Sequence, residues 1–422
     1  MHVVIVTAGG AGMFCGSCMH DNTWARALMA QGVEVSLLPT YTPIRVDEGN
    51  LASSRVFFGG INVYLEHKSR LWRSLPRFMT RWLDAAWVIQ LATRFGVSND
   101  ARLLGELTLA MLEGEAGPHR RDVDELAGFI AQLRPDVVCF SNALLCGALR
   151  GIRAAFPAKV FCTLQGDDIF LEGLSEPYRR QAIDRISERA SEFDGFITHS
   201  RYYRDFMSSY LRLPARKFHI VPLGIDLTGH DGLPSTSKND RFTVGYFARV
   251  CPEKGLHELL AGFRLLHQRH PSVRLRAGGY LGPRDHKYFN DLARDARNLG
   301  DAFEFIGSPA SHADKVTFLK SLDVLSVPTT YHEPKGLPVL EAMANGVPVV
   351  QPRHGAFPEI LESTGGGLLV TPGSAAELAD ALEELMLDPA RRFHLAETGQ
   401  AAVRTKYGPT ALAQETIAAF ES

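Results

Sequence analysis

Short apolar runs alternate with longer helix-period stretches along nearly the whole chain, and few folds accept that alternation. A strand flanked by helices pairs in parallel and is covered on both faces, because each crossover lays a helix against the sheet. The first series of runs falls at residues 3–7, 33–38, 137–140, 160–164 and 195–198. A glycine turn, Gly9-Gly10-Ala11-Gly12, follows the first run, and a helix is expected over 22–30. A second series starts afresh at 242–247 and continues at 273–277, 303–306, 324–327, 347–350 and 368–370. Between them, residues 219–234 carry Pro222, Gly224, Gly229, Gly232 and Pro234, a composition that suits a hinge linker. The expectation is an α/β chain of two doubly wound domains, residues 1–222 and 223–406. Its main cleft would lie between them, at the carboxyl ends of both sheets.

The chain's 422 residues, 45% of them hydrophobic, suffice for two such cores. A net charge of -2 gives no electrostatic reason to expect nucleic acid as a partner. The six cysteines, at 15, 18, 139, 146, 162 and 251, are too scattered for a disulfide scaffold. No apolar run reaches the ~20 residues that span a bilayer. The opening MHVVIVTAGGAG has no basic region or cleavage site, so it reads as a strand entering a turn and not as a signal peptide. A cytoplasmic protein with reduced thiols is expected.

Residues 333–350 read EPKGLPVLEAMANGVPVV. Pro338 suits the first position of a helix over 340–345, and Gly346 the left-handed residue past its end. The N–H groups of Gly336 and Leu337 would lack intrahelical partners at the positive end of that helix, where an anion is favoured. Glu333 stands in the loop and Glu341 about one turn into the helix. Amides for phosphate beside two acceptors for hydroxyls suit a nucleotide that carries a sugar. In FARVCPEKG, Arg249 and Lys254 follow the first strand of the second domain, ahead of a helix starting near Leu256. Cations are mismatched to a helix start, which favours a ligand role in gripping a diphosphate over solvated charges. The first glycine turn permits close approach of a ligand to backbone. Yet the second strand ends in Leu37-Leu38-Pro39-Thr40, with no acid to hold a ribose, so a nicotinamide cofactor is disfavoured.

The E-x7-E spacing of Glu333 and Glu341, with Gly-Leu-Pro before the helix, resembles the motif of the retaining GT-B glycosyltransferases of family 4. The resemblance covers most of the chain and is most specific in the second domain. It implies a GT-B fold of two Rossmann-like domains facing across a cleft, with residues 407–422 returning as a final helix onto the first. The implied reaction is transfer of a hexose from a nucleotide diphosphate sugar to an acceptor hydroxyl with retention. Glu333 would contact the donor sugar and Glu341 the ribose. Arg249 and Lys254 would bind the pyrophosphate, on which charge develops as the glycosidic bond breaks. Gly10 and Ala11 would face the donor's phosphates and sugar, and the backbone at Ile306 the base. Residues 163–168, TLQGDD, resemble a strand-end segment of the family, with Gln165 where His is usual. Neutral Gln can bond a sugar hydroxyl but cannot act as general base. The alternative is an amide that satisfies local backbone. Front-face displacement, in which the leaving phosphate takes the acceptor's proton, needs no enzymic base.

Two motifs are set aside. Cys15 and Cys18 form a C-x-x-C pair without the second pair a zinc site wants. Asp122-Val123-Asp124 matches a metal motif of the other major glycosyltransferase fold, but it precedes a helical pattern over 125–133 and reads as capping. No catalytic metal and no cofactor beyond the donor are expected. Residues 62–120 break the alternation, with Trp72, Trp82 and Trp87 among Arg70, Arg73, Arg77, Arg81 and Arg94. That segment is open to three uses: packing on the first domain, lining an acceptor pocket, or peripheral contact with a membrane. The acceptor, whether saccharide, lipid-linked or small molecule, is not legible. The rival readings are a nucleotide-sugar 2-epimerase and a nucleotide-sugar-binding protein without turnover.

Overall fold

The computed structural model describes residues 1–9, 16–44, 46, 49–53, 56–58, 101–232 and 241–422. Gly10, Ala11 and Cys15, and the tryptophan- and arginine-rich stretch within 59–100, lie outside the described residues. Contacts divide the chain into two units, Met1–Pro222 with Leu412–Ser422, and Leu223–Ala411.

The first unit is built on six parallel strands: β1 (His2–Thr7), β2 (Glu34–Pro39), β3 (Val137–Phe140), β4 (Lys159–Thr163), β5 (Gly195–Thr198) and β6 (Phe218–Ile220). Their order in the sheet is β2-β1-β3-β4-β5-β6. Side chains alternate across a strand, so β1 serves two cores at once. Val4 and Val6 pack with Leu126, Ile130 and Leu149 on one face. Val3 and Ile5 pack with Trp24, Leu28 and Phe420 on the other. That second core is closed by the chain's own end. In the helix Pro409–Glu421, Thr416 Oγ1 accepts from Trp24 Nε1 at 2.9 Å, and the Phe420 ring lies 5.0 Å from that of Phe161.

The second unit repeats the plan with β7 (Thr243–Phe247), β8 (Arg274–Gly278), β9 (Phe303–Phe305), β10 (Val324–Leu325), β11 (Val349–Pro352) and β12 (Gly367–Val370). Their order is β12-β11-β10-β7-β8-β9, again all parallel. No helix among the described residues is long and apolar enough to cross a membrane.

Several local expectations need correction. β6 lies partly inside the stretch read as linker; Pro222 and Gly224 follow it at once and mask its apolar Phe218 and Ile220. The helix after the glycine turn runs over Gly16–Ala30 and so starts before residue 22. Its opening turns bury Cys18, His20 and Asp21, a polar face that hydrophobic periodicity does not report. Asp122 and Asp124 sit inside a helix that begins at Arg120, not ahead of one. Asp122 is in the first turn, buried 3.7 Å from His119 Nδ1, and Asp124 faces Arg120 at 3.5 Å on the exposed side.

Truncating a fully buried aromatic typically costs about 3–5 kcal/mol. Phe420→Ala is therefore expected to lower the unfolding free energy of the first unit by an amount in that range, read as a lower urea midpoint at unchanged slope. A tryptophan-fluorescence unfolding curve indistinguishable from wild type would contradict the packing assigned to the final helix.

Candidate active site

In the second sheet the chain winds outward from β7 through β8 to β9, then returns to place β10 on the other side of β7. Loops leaving adjacent strands in opposite winding directions diverge there, which opens a crevice at their carboxyl ends. The β7 loop brings Lys254, last residue of a short 3-10 turn, Pro252–Lys254. The β10 loop brings Tyr331 and Glu333. The two are held in backbone contact. Gly255 has φ 73°, and a Cβ on it would lie 1.8 Å from the carbonyl oxygen of Pro328, so only glycine fits. Thr330 N–H donates to the Glu253 carbonyl at 2.9 Å. The loop after β11 closes the third side. A Cβ at Gly355 would stand 2.5 Å from the Glu333 carbonyl oxygen, which accepts from Ala356 N–H at 2.8 Å.

Glu333 is thereby fixed, 5% exposed, with both carboxylate oxygens engaged. Oε2 accepts from Lys254 Nζ and from the Tyr331 hydroxyl, each at 2.6 Å. Lys254 Nζ also donates to the Tyr331 hydroxyl oxygen at 2.5 Å. Oε1 accepts from the N–H groups of Lys335 and Gly336 at 3.2 and 3.3 Å. Burial by itself would raise the carboxyl's pKa. The Lys254 ammonium and the hydrogen bonds from Lys254, Tyr331 and Gly336 outweigh it and hold the group at about 2. The N–H of Gly336, expected to be open to an external anion, thus receives the protein's own carboxylate. Gly336 is left-handed, φ 76°, and the helix starts at Leu337, so Pro338 takes its second position and not its first.

Glu341 lies further along that helix, Leu337–Ala344, and bonds a different lysine. Its Oε1 accepts from Lys315 Nζ at 2.8 Å, and both side chains are buried. Arg249, half-buried, directs Nε at Cys251 Sγ at 3.3 Å. Ile306 N–H donates to the Ala277 carbonyl at 2.9 Å, which ties that backbone donor to the sheet. In the first unit, Gln165 Nε2 donates to Asp21 Oδ1 at 3.1 Å and to the Ser141 carbonyl at 2.9 Å. Asp21 also accepts from the Thr7 hydroxyl at 2.7 Å.

Of the residues singled out from sequence, then, Lys254, Glu333 and Gly336 meet directly. Glu341 has a separate partner, and Gly10 and Ala11 lie outside the described residues. Tyr331, Lys315 and Asp21 escaped sequence reasoning. A signal existed for Lys315, which precedes Phe318 and Leu319 by three and four residues in the helix His312–Lys320, a cation on an apolar stripe. None marked Tyr331.

The family model described as Glycosyl transferases group 1 matches residues 234–402, and that described as Glycosyltransferase Family 4 matches residues 107–228. Each model falls largely on one of the two units, and the paired parallel sheets are those of a GT-B fold. A D-inositol 3-phosphate glycosyltransferase of Stackebrandtia nassauensis is 28% identical to this GT-B chain over 239 residues, covering 53% of each. A GDP-mannose-dependent monoacylated alpha-(1-6)-phosphatidylinositol monomannoside mannosyltransferase of Corynebacterium glutamicum is 26% identical over 300 residues, covering 67% of this chain and 75% of that one. The structure of Anabaena Alr3699/HepE in complex with UDP and glucose is 17% identical with a TM-score of 0.70, covering 99% of both chains, a likeness of fold. The match spans about half the length of the inositol-phosphate relative.

The depressed pKa of Glu333 has a stability consequence. A carboxyl with a lower pKa folded than unfolded stabilises the native state above its unfolded value, and that contribution is lost as pH falls through the folded value. Wild type is expected to lose stability relative to Glu333→Gln as pH falls from 4.5 towards about 2. Urea titrations of both proteins across that window measure the gap; parallel acid limbs would refute the charge state assigned to Glu333.

Proposed function

We propose that the protein is a retaining hexosyltransferase, moving a sugar from a nucleotide diphosphate sugar to an acceptor hydroxyl without a metal. One observation carries this: an ionised carboxylate, an ammonium and two backbone N–H groups converge at the switch point of the second sheet. The GDP-mannose dependence of the Corynebacterium glutamicum relative, and the UDP and glucose bound to the Anabaena protein, support the same class of donor.

In this reading Lys254 and Arg249 stabilise the departing diphosphate, whose negative charge grows as the glycosidic bond breaks. Glu333 accepts from hydroxyls of the donor sugar and orients its anomeric carbon. Its pKa near 2 keeps it an acceptor at any physiological pH. Glu341 binds the ribose. The acceptor's proton passes to a leaving phosphate oxygen, so the reaction needs no enzymic base. That agrees with Gln165, a neutral amide held by Asp21 and Ser141, at a position the family usually fills with His.

Thermal-shift titration with UDP, GDP, ADP and their hexose conjugates identifies the donor, since a ligand that binds only the native state raises its melting temperature. Glu333→Ala is expected to reduce transfer from the stabilising donor by on the order of 10²-fold or more while the far-ultraviolet dichroism stays native. A Glu333→Ala enzyme of wild-type activity would sink the assigned role. An epimerised sugar from donor alone would replace transferase with epimerase.

A further inference from the structure

Glu341 and Lys315 form a buried ion pair, their side chains 7% and 4% exposed. Taking two charges out of water is costly, and an apolar pair of similar size would join their two helices at least as well. Pinning the helix His312–Lys320 to the helix Leu337–Ala344 therefore does not by itself call for this chemistry. What an ion pair does that an apolar pair cannot is aim a carboxylate.

The surroundings fix that aim. Lys315 Nζ holds Oε1 at 2.8 Å, while Oε2 accepts no hydrogen bond from the described residues. The turn carrying Glu341 is anchored as well. Asn345 Nδ2 donates to the Glu341 carbonyl at 2.9 Å and to His230 Nδ1 at 2.7 Å, and the His230 carbonyl accepts from Arg404 at 2.9 Å. One carboxylate oxygen is tethered and the other is unclaimed, on a backbone that has little freedom to move. A carboxylate ordered beforehand accepts hydroxyl hydrogen bonds without the entropic cost of immobilising a flexible side chain.

We propose that Lys315 is a positioning residue, holding Glu341 by Oε1 so that its remaining acceptor positions meet the vicinal diol of a nucleotide's ribose. The proposal rests on the reading above that gives Glu341 to the ribose. The mechanism asks nothing of Lys315 as a ligand; it acts through Glu341 alone.

The test compares UDP, GDP and ADP with their 2′,3′-dideoxy counterparts, by calorimetric titration of wild type, Lys315→Met and Lys315→Gln. Wild type is expected to favour the ribonucleotide it binds over the dideoxy form by about tenfold or more, as hydrogen bonds to a charged acceptor require. Lys315→Met should lose most of that preference and Lys315→Gln, with a shorter and uncharged donor, part of it, each weakening the ribonucleotide while leaving dideoxy affinity within about twofold. The donor KM should rise with kcat little changed, because ribose binding is equal in ground and transition states. A purely structural pin would weaken both nucleotides alike and leave the ratio intact, which overturns the proposal. Lys315→Gln keeps a donor for Oε1 and covers the case in which Lys315→Met does not fold. A wild type that binds no nucleotide, or does not distinguish ribo from dideoxy forms, overturns the ribose reading itself and the proposal with it.

Discussion

Parallel strands covered on both faces leave polar chemistry almost nowhere to go but the strand ends. Val3 through Val6 are wholly buried in the first sheet, as are Val349 and Val350 in the second. A charge placed among them would be stripped of water with no partner in reach. The loops at the carboxyl ends are freed from that constraint, and the winding reversal beside β7 sets two of them next to each other. Glycine finishes the job. Without the bare backbone of Gly255 and Gly355, the loops after β7, β10 and β11 could not approach closely enough for Lys254 to reach Glu333.

Partners, not burial, decide what the acids of this protein do. Glu333 and Asp167 are both close to fully buried. Burial drives the Asp167 carboxyl up to about 6; the N–H groups of Ala143 and Gln165, which bond it at 2.6 and 3.0 Å, only moderate that rise. Glu333 has comparable backbone donors but adds an ammonium at 2.6 Å, and its pKa goes the other way. An ammonium and the Tyr331 hydroxyl separate a carboxyl close to titration at neutral pH from one that stays ionised.

Most of the architecture was legible because parallel strands are apolar throughout and stand out against helical periods. β3 and β5 fall at the residues expected, and the other strands of four or more residues within two residues at either end. β6 was lost because Pro222 and Gly224, just past it, make the stretch read as a linker. Glu333 and Lys254 stood out as charges in loops after strands and do meet, but the remaining contacts between distant segments were illegible. Tyr331 meets Lys254 across 77 positions, and Gln165 meets Asp21 across 144. Neither separation leaves a trace in local pattern. Lys315 went unread because a lysine inside a helix is taken by default for a solvated one, even on an apolar stripe.

The carboxylate of Glu333 already neutralises the nearest ammonium and fills the adjoining amides. It serves the resting protein as a built-in counter-ion. A stray inorganic anion gains little there, because it must displace a tethered competitor that has surrendered no translational entropy to be present. A ligand that brings hydroxyls for the carboxylate along with negative charge for the lysine loses nothing by the exchange, since each group finds a new partner. In the function proposed above, that resting ion pair would select against simple phosphate.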